Sequence, residues 1–253
     1  MKKLRLMMAG IALLTVTASL QSCLDDDNDS YNNNVANALV TVVPSTEGTH
    51  PWIVLDDSTV AYPVNLSTPP FGNKEVRALI NYQMADGQTV VDGKYAHCPS
   101  IYVNWVDSIL TKNMAKNFGT VAKNDSAYGK DPVEIVNDWV TIAEDGYLTL
   151  RFRTRFSSSV KHLVNVVKDP GAKSSYALRF CHNAMGDSYG QIGDGIAAFK
   201  LPDLLDTGGK YVVLTLSWYS YSGEKTASFK YCSRKSINPK SNLAEVKYIK
   251  MIR

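Results

Sequence analysis

From Tyr147 to Phe156 the chain alternates without interruption: Leu148, Leu150, Phe152 and Phe156 fall on one side, and Tyr147, Thr149, Arg151, Arg153 and Arg155 on the other. A helix would scatter these residues around its circumference, whereas a strand sends them to one apolar and one charged face. Such a strand persists only in a sheet whose apolar face is covered by a second layer. Further runs of the same kind recur at 38–43, 52–55, 60–64, 76–84, 101–109, 160–167, 176–182, 196–201, 211–221, 226–232 and 245–252. Turn residues separate several of them, notably Asp56-Asp57-Ser58, Asp86-Gly87 and Ser222-Gly223-Glu224. No long apolar pattern with helical period and caps occurs, which argues against a doubly wound α/β sheet. The expected class is all-β, built as a barrel or a sandwich. A polar stretch at 113–130, with at most a short helix at 113–118, is the expected junction of two modules.

The N-terminus carries a different signal. Lys2, Lys3 and Arg5 precede an uncharged, mainly apolar run at 6–20 that ends in Leu20-Gln21-Ser22-Cys23. The run is short for a membrane-spanning helix and is soon interrupted by polar residues. Its order of basic region, apolar run and small residue before a cysteine resembles the lipobox of bacterial lipoproteins. The resemblance implies a signal peptide at 1–22, a diacylglyceryl thioether on Cys23 and anchorage in the membrane through that lipid. Residues 23–37, with Asp25-Asp26-Asp27 and Asp29, have no apolar face to bury and read as a solvated tether. The acidic run also resembles the export signal that sends Bacteroidetes lipoproteins to the outer face of the outer membrane.

The formal charge of +3 arises from 27 basic and 24 acidic side chains, and three of the basic ones lie in the signal segment. The chain from Cys23 onward is therefore neutral overall, and no nucleic-acid partner is expected. The charge is unevenly shared: residues 23–130 hold 12 acidic and 7 basic groups, and residues 131–253 hold 12 and 17. Opposite signs on the two halves predict either modules that attract one another or one basic face turned outward.

Several segments occur in a recognisable order: Val76-Arg77-Ala78-Leu79-Ile80-Asn81-Tyr82, Ile109-Leu110-Thr111-Lys112, Asp131-Pro132-Val133-Glu134-Ile135-Val136 ahead of Trp139, Gly146-Tyr147-Leu148-Thr149-Leu150-Arg151-Phe152, Leu178-Arg179-Phe180-Cys181-His182-Asn183-Ala184 and Ala198-Phe199-Lys200-Leu201. This order resembles the NigD-like proteins of Bacteroidetes. The resemblance implies an N-terminal OB-like barrel at roughly 38–115 and a C-terminal β-sandwich at roughly 130–253. It further implies a lipoprotein with an immunity role, by association of the founding member with a bacteriocin gene cluster. It brings no catalytic residues to carry over.

The motifs with chemical potential are few. Ser158-Ser159-Val160-Lys161 and Ser222-Gly223-Glu224-Lys225 have Ser-x-x-Lys spacing but lie at turns between strands, where the Lys is not one helical turn from the Ser. His50, His97, His162 and His182 are scattered, and Cys98, Cys181 and Cys232 fit no zinc spacing. No cofactor or metal is expected. Cys181 and Cys232 each end a predicted strand, so a disulfide between them is one arrangement and three free thiols the other. The run 186–195 reads as a flexible glycine-rich loop, with calcium held by Asp187 and Asp194 as the alternative. The remaining candidates are surface residues. Arg151, Arg153 and Arg155 form a basic row, and Tyr219 and Tyr221 lie opposite the inward Leu214, Leu216 and Trp218. A face carrying Arg and Tyr is suited to a glycan or an acidic protein. The sequence therefore reads as a non-catalytic binding protein; the alternatives are a structural subunit of an envelope or fimbria-like assembly and a hydrolase with a dispersed site.

Mass spectrometry of the mature N-terminus should find an acylated Cys23. Replacing Asp25, Asp26 and Asp27 with Ala should leave that lipid in place and reduce removal of the chain from whole cells by external protease. An unmodified N-terminus beyond Cys23, or unchanged shaving, would contradict the corresponding half of this expectation.

Overall fold

The computed structural model describes residues 34–45, 50–85, 98–157, 160–201 and 206–234. Cys23, the tether as far as residue 33, the Asp86-Gly87 turn, His97, Ser158, Ser159 and the expected strand at 245–252 lie outside them; residues 34–37, expected as the end of the tether, are instead bonded to the barrel, Asn37 donating its N–H to the Ile80 carbonyl at 2.9 Å and Asn81 its side-chain amide to the Val35 carbonyl. The class is all-β, as the alternation predicts: a closed barrel is followed by a two-sheet sandwich.

The barrel runs β1 (Ala38–Val43), β2 (Trp52–Val54), β3 (Val60–Pro63), β5 (Ser100–Ser108) and β4 (Val76–Met84), closing through pairing of β1 with β4. The β2–β3 hairpin turns at Asp56, whose Oδ1 accepts the backbone N–H groups of Ser58 and Thr59. This is an Asx turn, in which the carboxylate accepts the N–H groups of its own neighbours beneath the closing Leu55 N–H to Thr59 carbonyl bond. Alternate residues Val40, Val42, Ile53, Ala78, Ile80, Ile101 and Val103 fill the interior. The intervening residues of β4, Arg77 and Leu79, face the sandwich instead.

No linker separates the modules. Ile109 follows β5 directly, and β6 (Leu110–Asn113) already pairs in parallel with β12 (Gln191–Lys200) of the sandwich. The expected junction at 113–130 is thus part of the second module, and its helix lies later than expected, at α1 (Val121–Tyr128). Thr120 caps α1 by accepting the Lys123 N–H, and buried Asn124 ties the turn before it through Asn117 and Phe118. Propensity misplaces this helix because its apolar residues are few; docking on β11 (Ala177–Asn183) holds it.

One sandwich sheet runs β10 (Leu163–Lys168), β11, β13 (Val212–Ser220) and β14 (Gly223–Tyr231). The other runs β6, β12, β9 (Tyr147–Phe156) and β7 (Glu134–Ile135), with β8 (Ile142–Glu144) also paired to β9. Leu148, Leu150 and Phe152 of β9 face Leu178, Phe180, Leu214, Leu216 and Trp218 across the core. Tyr147 and Ala198 lie on the reverse face and pack with Leu39, Ile109 and Val140 in a second apolar cluster that joins sandwich to barrel. The β8–β9 hairpin turns through Asp145 (φ 50°) and Gly146 (φ 74°), a pair of left-handed residues that matches strand twist.

Residues 191–195 are not a loop. They form the first half of β12, and the rings of Phe152 and Phe156 occupy the inward positions left empty by Gly195 and Gly193. Gly193-Asp194-Gly195 read as a flexible connection because strand propensity ignores a neighbour that supplies the missing side chain. A Cβ on Gly195 would lie 2.5 Å from Cζ of Phe152, whose ring is held against Phe180. Gly195→Ala should therefore cost about 1–3 kcal/mol, typical of overpacking, measured as a lowered urea midpoint. An unchanged midpoint would mean that the Phe152 ring is free to swing aside.

Candidate functional site

The basic row lies where the alternation placed it, on the outer face of β9, and Arg151 and Arg153 find counter-charge within the sandwich itself. Arg151 donates from Nε to Asp194 Oδ2 at 2.9 Å and from Nη1 to Asp138. Arg153 donates from Nε to Asp194 Oδ1 at 2.6 Å and from Nη2 to Oδ2 at 3.0 Å. Asp194 sits directly across from Arg153 in the β9–β12 register, so the strand pairing itself brings carboxylate to guanidinium. Arg155 stays exposed and donates to the Gly190 carbonyl at 3.1 Å. Hydrogen bonds from Arg153 and Arg151 hold the Asp194 carboxyl down at about 2.

Tyr219 and Tyr221 do not share this face. They belong to the other sheet, where Lys130 Nζ stands 4.9 Å from the Tyr219 ring centroid. The Tyr221 hydroxyl turns back to Thr154 Oγ1 at 3.1 Å. The expected Arg-and-Tyr surface is therefore divided: Tyr219 lies on the other sheet, and Tyr221, in the turn after β13, reaches the inward Thr154 rather than the outer face that carries the arginines.

Other polar groups meet without sequence warning. Arg179, buried on β11, binds Glu224 of β14 through Nη1 and Nη2 and Asp125 of α1 through Nε. Burial opposes its charge, but the two carboxylates overcome that and raise its pKa. The expectation of scattered histidines fails at one point: His162 Nδ1 lies 2.9 Å from His182 Nε2, behind Asp187. Burial lowers the His182 pKa. Ser157 donates to Asp187 rather than to an imidazole, so this chain of groups lacks the serine–histidine contact of an activated nucleophile. Asp187 and Asp194 point to different partners and do not converge on a cation. Lys225 of the second Ser-x-x-Lys motif pairs with Glu134, 2.8 Å away. Cys98, Cys181 and Cys232 are all free, and burial pushes the Cys181 thiol up to about 11.

At the seam between the modules, Arg234 binds Asp145 through Nε and Nη2, each at 2.6 Å, and Glu75 through Nη1 at 3.0 Å. The Tyr147 hydroxyl donates to Glu75, and fully buried Arg77 reaches Glu144 at 2.9 Å and Thr41 at 3.1 Å. Burial alone would raise the Glu75 carboxyl, but Tyr147 and Arg234 hold it below the usual range. Burial raises Asp145 despite Arg234. The modules do attract through opposite charge, through Arg234 and Lys200 rather than through the β9 row.

The open feature is the side of the sandwich between β14 and the β7–β8 segment. A groove of about 490 Å³ lies there, lined by Ile135, Thr141, Trp218, Ala227, Phe229 and Lys230 among others. Among the described residues β14 pairs only with β13, so alternate backbone N–H and C=O groups along its other edge face this groove. Trp218 is 5% exposed, and its indole Nε1 has no hydrogen-bond partner among them. Ion pairs bracket the slot: Lys225–Glu134 near one end and Arg234–Asp145 near the other.

Comparison with known families and structures agrees with this architecture. A NigD-like N-terminal OB domain matches residues 39–109, and a NigD-like C-terminal beta sandwich domain matches residues 115–231. A crystal structure described as a toxin-related protein from Parabacteroides distasonis is 36% identical over 77% of this chain and 92% of its own, with a TM-score of 0.62. A protein of unknown function from Bacteroides vulgatus is 24% identical over 77% of this chain and 89% of its own, with a TM-score of 0.59. A NigD-like immunity protein from Bacteroides caccae is 17% identical over 76% and 89%, with a TM-score of 0.50. The last two likenesses show the fold alone. No curated protein matches the chain.

The Asp194 clamp has a definite pH signature. Its carboxyl is depressed in the folded chain, so its contribution is present above the ordinary value of 3.8 and is lost as pH falls toward about 2. Urea midpoints of the wild type should fall through this window more steeply than those of Asp194→Asn. Parallel profiles would show that the clamp does not couple to folding.

Proposed function

The chain belongs to the NigD-like family, and we propose that it is a non-catalytic binding protein, held at the cell surface by a lipid on Cys23, that takes an extended segment of a partner polypeptide. The groove beside Trp218 carries this reading. An unpaired strand edge with an unsatisfied indole donor and apolar lining is complementary to a peptide backbone, which supplies carbonyls and N–H groups in a row. The charged clusters on either side are already paired within the fold, so they shape the surface rather than hold a substrate. The lipobox and acidic tether support display at the outer membrane, facing whatever arrives from outside the cell. The relative called an immunity protein supports capture of a foreign polypeptide as the form that binding takes.

The test is capture from outer-membrane and culture-supernatant fractions with the tether intact. Ala227→Arg projects a long charged side chain into the slot. Because Ala227 also packs against the core, Ser228→Arg, at an exposed position of the same groove, is tested beside it, and either variant that keeps the wild-type circular dichroism spectrum should abolish capture of a polypeptide partner. Capture that survives Ala227→Arg, or that fails for the wild type, would sink the reading.

A further inference from the structure

His162 and His182 meet behind the turn from Ala184 to Asp187. We propose that with Asp187 they form a one-proton latch on that turn: the first proton taken up as the medium acidifies enters between His162 Nε2 and Asp187 Oδ2 and fastens it, and a second, on His182, opens it. The latch is independent of the groove beside Trp218.

The tautomers follow by elimination. His182 Nδ1 lies 3.2 Å from the Asp131 carbonyl, which can only accept, so Nδ1 carries the proton of the neutral ring. That ring then offers a lone pair at Nε2, and the donor to it is His162 Nδ1, 2.9 Å away. Burial lowers the His182 pKa, so the ring stays neutral as pH falls through the ordinary imidazole value of 6.5. A neutral His162 holds its single proton at Nδ1. Its Nε2 then turns a bare lone pair toward Asp187 Oδ2, 3.5 Å off, and has no hydrogen-bond partner among the described residues. The two side chains are 4% and 3% exposed, and the Phe156 ring lies 4.4 Å from that of His162. Two acceptors facing one another in so dry a site are disfavoured.

An entering proton has two addresses. On His182 Nε2 it would set two N–H groups head to head. On His162 Nε2 it turns a donor toward a buried carboxylate and leaves the bond to His182 intact. The carboxylates that meet the pair also anchor the turn. Asp187 closes it by donating its N–H to the Ala184 carbonyl at 2.9 Å, and accepts the Ser157 N–H at 2.8 Å. Asp131, ahead of β7, accepts the Ala184 N–H at 2.7 Å. Between these anchors Met185 (φ 54°) and Gly186 (φ 84°) are left-handed, and Met185 is 54% exposed. A bulky residue keeps that conformation only where its surroundings hold it. The turn and its projecting Met185 therefore relax when the latch loosens.

Imidazole 15N shifts and amide exchange of the full chain in detergent, followed between about pH 8 and pH 4, test this. His162 should take the first proton, at Nε2, while His182 keeps its proton on Nδ1. Protection of the Ser157, Ala184 and Asp187 amides, corrected for the intrinsic effect of pH, should rise about threefold or more with that proton. It should fall again when His182 charges, giving a bell rather than a step. Asp187→Asn supplies a permanent amide donor to the neutral His162, so in that variant protection should be highest before the first proton and fall with it. A first proton on His182, or wild-type protection that stays flat or falls as His162 charges, overturns the proposal whether or not the variant folds. A folded Asp187→Asn with an unchanged bell overturns it too.

Discussion

The carboxylates of Asp145 and Glu75 share the guanidinium of Arg234 at the seam of barrel and sandwich, and Tyr147 closes the set from β9. Each group comes from a different part of the chain: Glu75 leads into β4, Asp145 makes the β8–β9 turn, and Arg234 follows β14. The turn matters most. Its two left-handed residues aim the Asp145 carboxylate at Arg234 while the Asp145 N–H is accepted by Asp57 of the β2–β3 turn, at 2.6 Å. Buried ion pairs of this kind contribute little net stability, because desolvation offsets attraction, but loss of one partner is expensive. Their effect here is positional. Together with the cluster of Leu39, Ile109, Val140, Tyr147 and Ala198, they set where the barrel sits on the sandwich.

The same economy of charge explains why the surface of β9 is a poor anion trap. Three arginines on one strand face repel one another, and the fold answers with Asp194 from the adjacent strand and Asp138 from the loop before β8. Arg179 is treated likewise by Asp125 and Glu224. Among the described residues the β14 edge and the Trp218 indole form a groove whose polar groups call for hydrogen-bonding backbone rather than charge. This contrast directs attention from the charged rows, which dominate the sequence, to an edge that carries no motif.

Much of the fold was legible residue by residue. Period two in β9 and β13 reports which side chains face the core, because a strand has only two faces and one of them is buried. The Asx turn after β2 is legible because Asp56 acts on its own neighbours. The beginning of β12 was not, since its glycines are completed by Phe152 and Phe156 from another strand. The place of α1 was not legible either, because contacts with β11 hold it. The meeting of His162 with His182 depends on the β10–β11 register, which places Val164 across from His182.

By itself, then, the sequence determined the all-β class and the inward sets of its most regular strands, both consequences of local periodicity, while the order of barrel before sandwich came from its resemblance to the NigD-like proteins. Only the tertiary structure decided that Arg151 and Arg153 are paired with Asp194 and Asp138, that Tyr219 lies on the other sheet while the Tyr221 hydroxyl reaches Thr154 of β9, and that Arg234 binds the modules together. It also decided that, among the described residues, the outer edge of β14 beside Trp218 has no paired strand. These are relations between segments distant in the chain. Alternation says which face a side chain occupies, but only sheet order and register say what stands opposite.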